Sequence, residues 1–87
     1  MYVVLVYDIQ QERVGRVCKY LRRHLRWVQN SVFEGELTKA QLTRVKNGLL
    51  KIINEKKDSV IIYVMRDAKW MDRETMGIEK SPTTNIL

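Results

Sequence analysis

The first nine residues, Met1 to Ile9, read Met-Tyr-Val-Val-Leu-Val-Tyr-Asp-Ile and leave this chain little choice of fold. Six of the seven residues from Tyr2 to Asp8 are β-branched, aromatic or leucine, with no Gly or Pro. That is the composition of a buried strand. It ends on Asp8, and a helical pattern follows. A carboxylate is thus delivered to the carboxyl end of a core strand, where the backbone is rigid enough to position chemistry. Position alone leaves two readings of Asp8 open, a helix N-cap or a metal ligand.

From Gln10 to Arg26 the apolar residues Val14, Val17, Cys18, Leu21 and Leu25 recur at helical spacing. Arg16, Lys19, Arg22, Arg23 and Arg26 project onto the opposite face. Between Arg26 and Leu37, Trp27-Val28 and Val32-Phe33 are short β-prone runs separated by Gln-Asn-Ser, which predicts a tight hairpin or bent ribbon. Thr38-Lys-Ala-Gln41 has the form of a capping box. It opens a second helix through Leu42, Val45, Leu49, Ile52 and Ile53 to about Glu55. Gly48 inside that helix costs about 1 kcal/mol relative to Ala and predicts close approach of a neighbouring element. Ser59 to Met65 is a second buried-type strand, and Met76 to Glu79 a short extra one. Residues 81–87 read as an exposed tail beyond a single domain over 1–80.

Strand, helix, strand, strand, helix, strand is the ferredoxin-like βαββαβ order: an α+β fold with an antiparallel sheet and both helices on one face, here with an extra C-terminal strand. Both main strands are apolar on both faces. Val3, Leu5 and Tyr7 alternate with Tyr2, Val4 and Val6; Val60, Ile62 and Val64 alternate with Ile61, Tyr63 and Met65. Two helices cover one face only, so the other predicts an association surface, most economically a homodimer. Asp8 shares parity with Tyr2, Val4 and Val6. If that face is the open one, two copies of Asp8 approach across a two-fold axis and suit Mg²⁺ or Mn²⁺, which prefer oxygen ligands.

Charge points to the partner. Sixteen Lys and Arg against ten Asp and Glu give +6 and a pI near 9.7, which favours polyanions, nucleic acid first. Glu12 is the sole acid between Gln10 and Arg26, so the cations Arg16, Lys19, Arg23 and Arg26, with Arg13 nearest Asp8, form a candidate phosphate-binding stripe. One cysteine excludes an internal disulfide. The apolar N-terminus lacks a basic n-region and is too short to span a bilayer, so the expectation is a cytoplasmic chain with no membrane partner. His24 reads as a surface residue, Cys18 as a small core residue and Trp70 as a dimer contact. No zinc ligand set, glycine-rich phosphate loop or Ser/His arrangement is present in the sequence.

Three stretches together resemble the Cas-two family of small CRISPR-associated proteins: Tyr7-Asp8-Ile9, Val28 to Gly35 (Val-Gln-Asn-Ser-Val-Phe-Glu-Gly), and Asp58 to Tyr63. The resemblance runs to about Met65. It implies a homodimer in which a C-terminal strand crosses to the partner's sheet, with one Asp8 from each subunit binding a divalent metal. It also implies a metal-dependent endonuclease acting on single-stranded RNA or duplex DNA, or a scaffold holding duplex DNA for the CRISPR integrase during spacer acquisition. Carried over by position, Tyr7 joins Asp8 at the strand end, Arg16 is the basic position of the first helix, and Phe33 the aromatic of Ser-Val-Phe. Some members carry Arg two residues before the Gln, where this chain has Trp27. Two functions from different classes therefore stand: a nuclease using paired Asp8 residues, and a non-catalytic duplex-binding scaffold. A single-strand RNA reader of the same element order lacks its aromatic sheet motif here.

Overall fold

A computed structural model describes residues 1–81. Strand β1 (Tyr2–Asp8) leads into helix α1 (Gln11–Leu21), the hairpin β2 (Arg26–Gln29) and β3 (Val32–Glu36), helix α2 (Lys39–Leu50) and strand β4 (Ser59–Met65); a 3-10 turn, Ala68–Trp70, follows. The sheet order is β2-β3-β1-β4 with every neighbouring pair antiparallel. Leu5 stands between Phe33 and Ile62, and Asp8 is opposite Ser59.

Residues directly opposite one another in an antiparallel ladder share a face. Val3, Leu5, Tyr7 and Phe33 therefore point to one side, and there they meet Val17 and Leu21 of α1 and Leu42, Val45 and Leu49 of α2 in a single buried cluster. This is the expected arrangement, both helices on one face. The Thr38 hydroxyl accepts from Gln41 N at 3.1 Å and the Gln41 side chain accepts from Thr38 N at 2.8 Å, closing the capping box that starts α2. Gly48 admits the neighbouring helix: a Cβ there would lie 2.0 Å from the Tyr20 hydroxyl. Asn30, at φ 42°, makes the reversal between β2 and β3, a conformation Asn tolerates better than most residues.

Three expectations need correction. α1 ends at Leu21, not near Arg26, because His24 N and Leu25 N both fold back on Leu21 O and turn the chain. Leu25 still reaches the core, but from the turn, and Arg26 belongs to β2 opposite Glu34 rather than to the helix stripe. α2 ends at Leu50 rather than Glu55, since Ile52 N and Ile53 N both bond Leu49 O before the loop to β4. Residues 76–79 form no strand within the chain; a bend stands there, with Gly77 at φ 87°. Ser81 is buried, and positions 82–87, where most of the expected tail falls, lie outside the described residues.

The other sheet face has no helix on it. Tyr2, Val4 and Val6 of β1 run alongside Ile61, Tyr63 and Met65 of β4, with Tyr63 57% and Ile61 49% exposed. Only its β3 side is covered. Glu34, opposite Val4, is 3% exposed because its carboxylate is ion-paired with Arg26 at 2.7 Å and with Arg73, which brings the segment after β4 back across this part of the sheet.

Candidate functional site

Asp8 closes β1 on the helix-free face, in line with Tyr2, Val4 and Val6, and is exposed. It does not cap α1. The N-cap is Gln10, which makes no side-chain cap bond. Among the described residues the Asp8 side chain has no hydrogen-bond or ion-pair partner. The β1–α1 turn is held instead by Asp58, at the entrance to β4.

The Asp58 side chain is 0% exposed. Its Oδ1 accepts from Gln10 N at 2.9 Å and from Arg13 Nη2 at 2.9 Å; its Oδ2 accepts from Arg13 Nε at 2.6 Å and from Asn54 N at 2.8 Å. The bidentate guanidinium is the strong geometry for a carboxylate. It offsets the desolvation of Asp58 and holds that carboxyl well below the usual carboxylate range. Asp58 thus serves as the α1 cap from 48 residues away. No local motif announces such a cap. The indirect signals are an α1 start with no Ser, Thr, Asp or Asn at Gln10 and an Asp set just before a core strand.

The sequence-predicted cations divide. Arg13 is committed to Asp58, and Arg26 to Glu34. Arg16, Lys19 and Arg23 are exposed and make no ion pair among the described residues. Tyr7 and Phe33 sit on the helix side, 6% and 0% exposed, with ring centroids 6.2 Å apart, so neither presents a face to a base. Burial, together with the Tyr7 hydroxyl's 2.8 Å contact to Cys18 Sγ, pushes the Tyr7 phenol up to about 12. Its role is packing beneath Asp8. His24, expected at the surface, is only part-exposed, tilted against Tyr20 at 4.8 Å.

No group of three or more His, Cys, Asp or Glu side chains suited to a metal occurs among the described residues. Asp8 thus stands outside any acid cluster of one chain, with fewer ligands than Mg²⁺ or Mn²⁺ takes, and a second copy meeting it across the open face would double the carboxylates there. No helix among the described residues is long and apolar enough to cross a membrane.

Comparison with known proteins places the fold in a family. A family model described as CRISPR associated protein Cas2 matches residues 1–73. The CRISPR-associated endoribonuclease Cas2 of Pyrococcus furiosus is 59% identical over 87 residues, covering 100% of both chains. Among solved structures, a cas2 crystal structure superposes with a TM-score of 0.87 at 49% identity, covering 100% of this chain and 98% of the other. Cas2 of Streptococcus pyogenes superposes at 0.77 with 34% identity, covering 88% and 100%.

Proposed function

The chain belongs to the CRISPR associated protein Cas2 family, and on that premise we propose that two copies pair through the open sheet face and cleave RNA at a site built on their two Asp8 carboxylates. The observation that carries this reading is Asp8 itself: an unpartnered carboxylate on a rigid strand end, at the rim of an uncovered apolar face. An exposed apolar sheet face of this kind is an association surface. A two-fold axis that lies in the plane of that interface and passes beside the strand end brings the two Asp8 carboxylates together, since residues near the axis of an isologous interface meet their own copies.

The two Asp8 side chains supply oxygen donors that suit Mg²⁺ or Mn²⁺. Such an ion contributes charge neutralisation at the scissile phosphate and a bound water of lowered pKa. The protein's own part is positional. Asp58 and Arg13 fix the turn that aims Asp8, while Arg16, Lys19 and Arg23, on the helix side, hold the phosphate backbone away from the bond that is cut. RNA as substrate follows the relatives' name, endoribonuclease. The biological setting is spacer acquisition in the cytoplasm, in company with the CRISPR integrase.

A second reading has its own observation. One metal donor per chain is few for an enzyme, which favours a scaffold that binds duplex DNA for the integrase without cutting it. Cleavage of single-stranded RNA and of duplex DNA, with Mg²⁺, with Mn²⁺ and with chelator, separates the two. The nuclease reading expects metal-dependent cleavage that Asp8→Asn abolishes while nucleic-acid binding persists. Cleavage by the variant with unchanged metal dependence would remove Asp8 from the site. Binding of duplex DNA with no cleavage under any condition leaves the scaffold.

A further inference from the structure

Three of the described Lys and Arg residues are ion-paired and the others are not, and five of the unpaired ones stand together. Arg13, Arg26 and Arg73 each reach a carboxylate, buried ones in Asp58 and Glu34. Arg16, Lys19, Arg23, Arg44 and Lys51 reach none among the described residues, and all five gather on the helix side. A groove of about 630 Å³ runs between the helices, with Arg23 and His24 just past the end of α1 on one wall and Arg44 and Lys51 of α2 on the other. Tyr20 lies between these walls. A second depression of about 300 Å³ shares Tyr20, Arg23 and Ile52 with the first and extends it past Arg16 and Lys19. Among the described residues no Asp or Glu lines either one.

We propose that this continuous trough seats the phosphodiester backbone of a nucleic-acid strand, and that Arg44 and Lys51 of α2 grip its phosphates from the side opposite Arg23. The proposal rests on the reading of nucleic acid as partner. It adds a wall of contacts on α2, which no sequence pattern singles out. Like charges set around one groove repel unless an anion lies between them. The trough's two joined parts fit a run of phosphates rather than a single ion, and three of the five cations are Arg, the side chain whose fork matches phosphate oxygens. The groove's floor is built in. Gly48 leaves the space that Tyr20 occupies, and the Tyr20 hydroxyl donates to Arg44 O at 3.1 Å, which ties the walls together.

His24 supplies a reporter. It is the sole histidine, and its Nε2 is buried with no hydrogen-bond partner among the described residues. Burial first, then the neighbouring Arg23 and Arg44, hold its pKa below the ordinary value. The other groups facing it across the groove are Tyr20, at ring-contact distance, and Lys51. Phosphates seated against Arg23 and Arg44 cancel the charges that depress it, so occupancy of the trough raises the His24 pKa.

The test uses the full chain and a single-stranded RNA oligonucleotide. In wild type, the His24 imidazole followed by NMR should titrate at higher pH with RNA than without. Arg44→Ala with Lys51→Ala, both at exposed positions, should flatten the plot of log affinity against log salt by about 1.4, two phosphate contacts at about 0.7 each on a single strand. Lys56→Gln with Lys57→Gln removes the same formal charge from the loop before β4 and should leave the slope unchanged. Equal slopes in wild type and the α2 variant, equal losses in both variants, or a His24 pKa indifferent to RNA would overturn the proposal. So would an equal His24 shift with polyglutamate, which would make the groove an acidic-peptide site, or with inorganic phosphate at matched phosphate concentration, which would make it a single-anion site. Wild type that binds neither RNA nor duplex DNA would overturn the nucleic-acid reading as well.

Discussion

Asp8 and Asp58 stand at the same end of the sheet, one at the last residue of β1 and the other just before Ser59, the residue opposite Asp8. Strand alternation separates them by face. Asp58 turns in beneath α1, and Asp8 turns out on the helix-free side. The first has lost all contact with water and receives four hydrogen bonds in exchange. The second is exposed and receives none. A buried carboxylate survives only when its charge and lone pairs are met, and once met it has nothing left for a ligand. An exposed one on a rigid strand retains its full donor capacity. At one end of the sheet the chain thus commits one acid to structure and leaves the other, the one we propose for chemistry, exposed.

Removing the structural acid should have the largest effect. Asp58→Ala leaves the Arg13 guanidinium and the Gln10 and Asn54 amides without their acceptor, and a fall in Tm on the order of 10 °C or more is expected. A melting point near wild type would erase the distinction between the two acids. The same contrast has a pH form. Because the folded pKa of Asp58 is depressed, its contribution is fully present above the unfolded value near 4 and is lost as pH falls through the acid range toward the folded value. Asp58→Asn should therefore melt with a shallower dependence on pH below about 4 than wild type. Parallel curves would show that Asp58 titrates alike in the folded and unfolded chain.

Much of this fold was legible in the sequence. The strand Tyr2–Asp8 carries no breaker, the Thr38–Gln41 box is a local signal, and Gly48 marks a close approach because Tyr20 needs its missing Cβ. The α1 terminus was not legible, since Leu25 keeps helical spacing although the chain has already turned at Leu21. Half of the site was legible too. Parity put Asp8 in line with Tyr2, Val4 and Val6, but which of the two apolar faces the helices leave open was not legible, because both are apolar. The partners of Arg13 and Arg26 were not legible either, because an ion pair spanning 45 residues leaves no periodic trace and Glu34 is buried only when Arg73 returns over it. Charge on a helix face is visible in a sequence; whether each charge is already spent is a tertiary fact.

Smaller effects sharpen the comparison at the open face. Tyr63→Lys places a charge within the apolar patch through which we propose that two copies pair. A dimer dissociation constant raised at least about tenfold, roughly 1.4 kcal/mol, is expected by sedimentation, with monomer folding retained because Tyr63 is exposed. An unaltered dimer would move the interface elsewhere. The smallest effect belongs to Asp8→Asn. With no partner to lose, its Tm should stay within about 4 °C of wild type, and the metal-free dimer should shift upward if anything, as two facing carboxylates no longer repel.

The most direct measurement of the central claim is the stoichiometry of Mn²⁺ binding to the folded dimer, by calorimetric titration of wild type and Asp8→Asn. Paired Asp8 residues predict one ion for every two chains in wild type and none in the variant, at unchanged dimer state. One ion per chain, or an isotherm that the substitution leaves intact, would contradict a site shared across the two-fold axis.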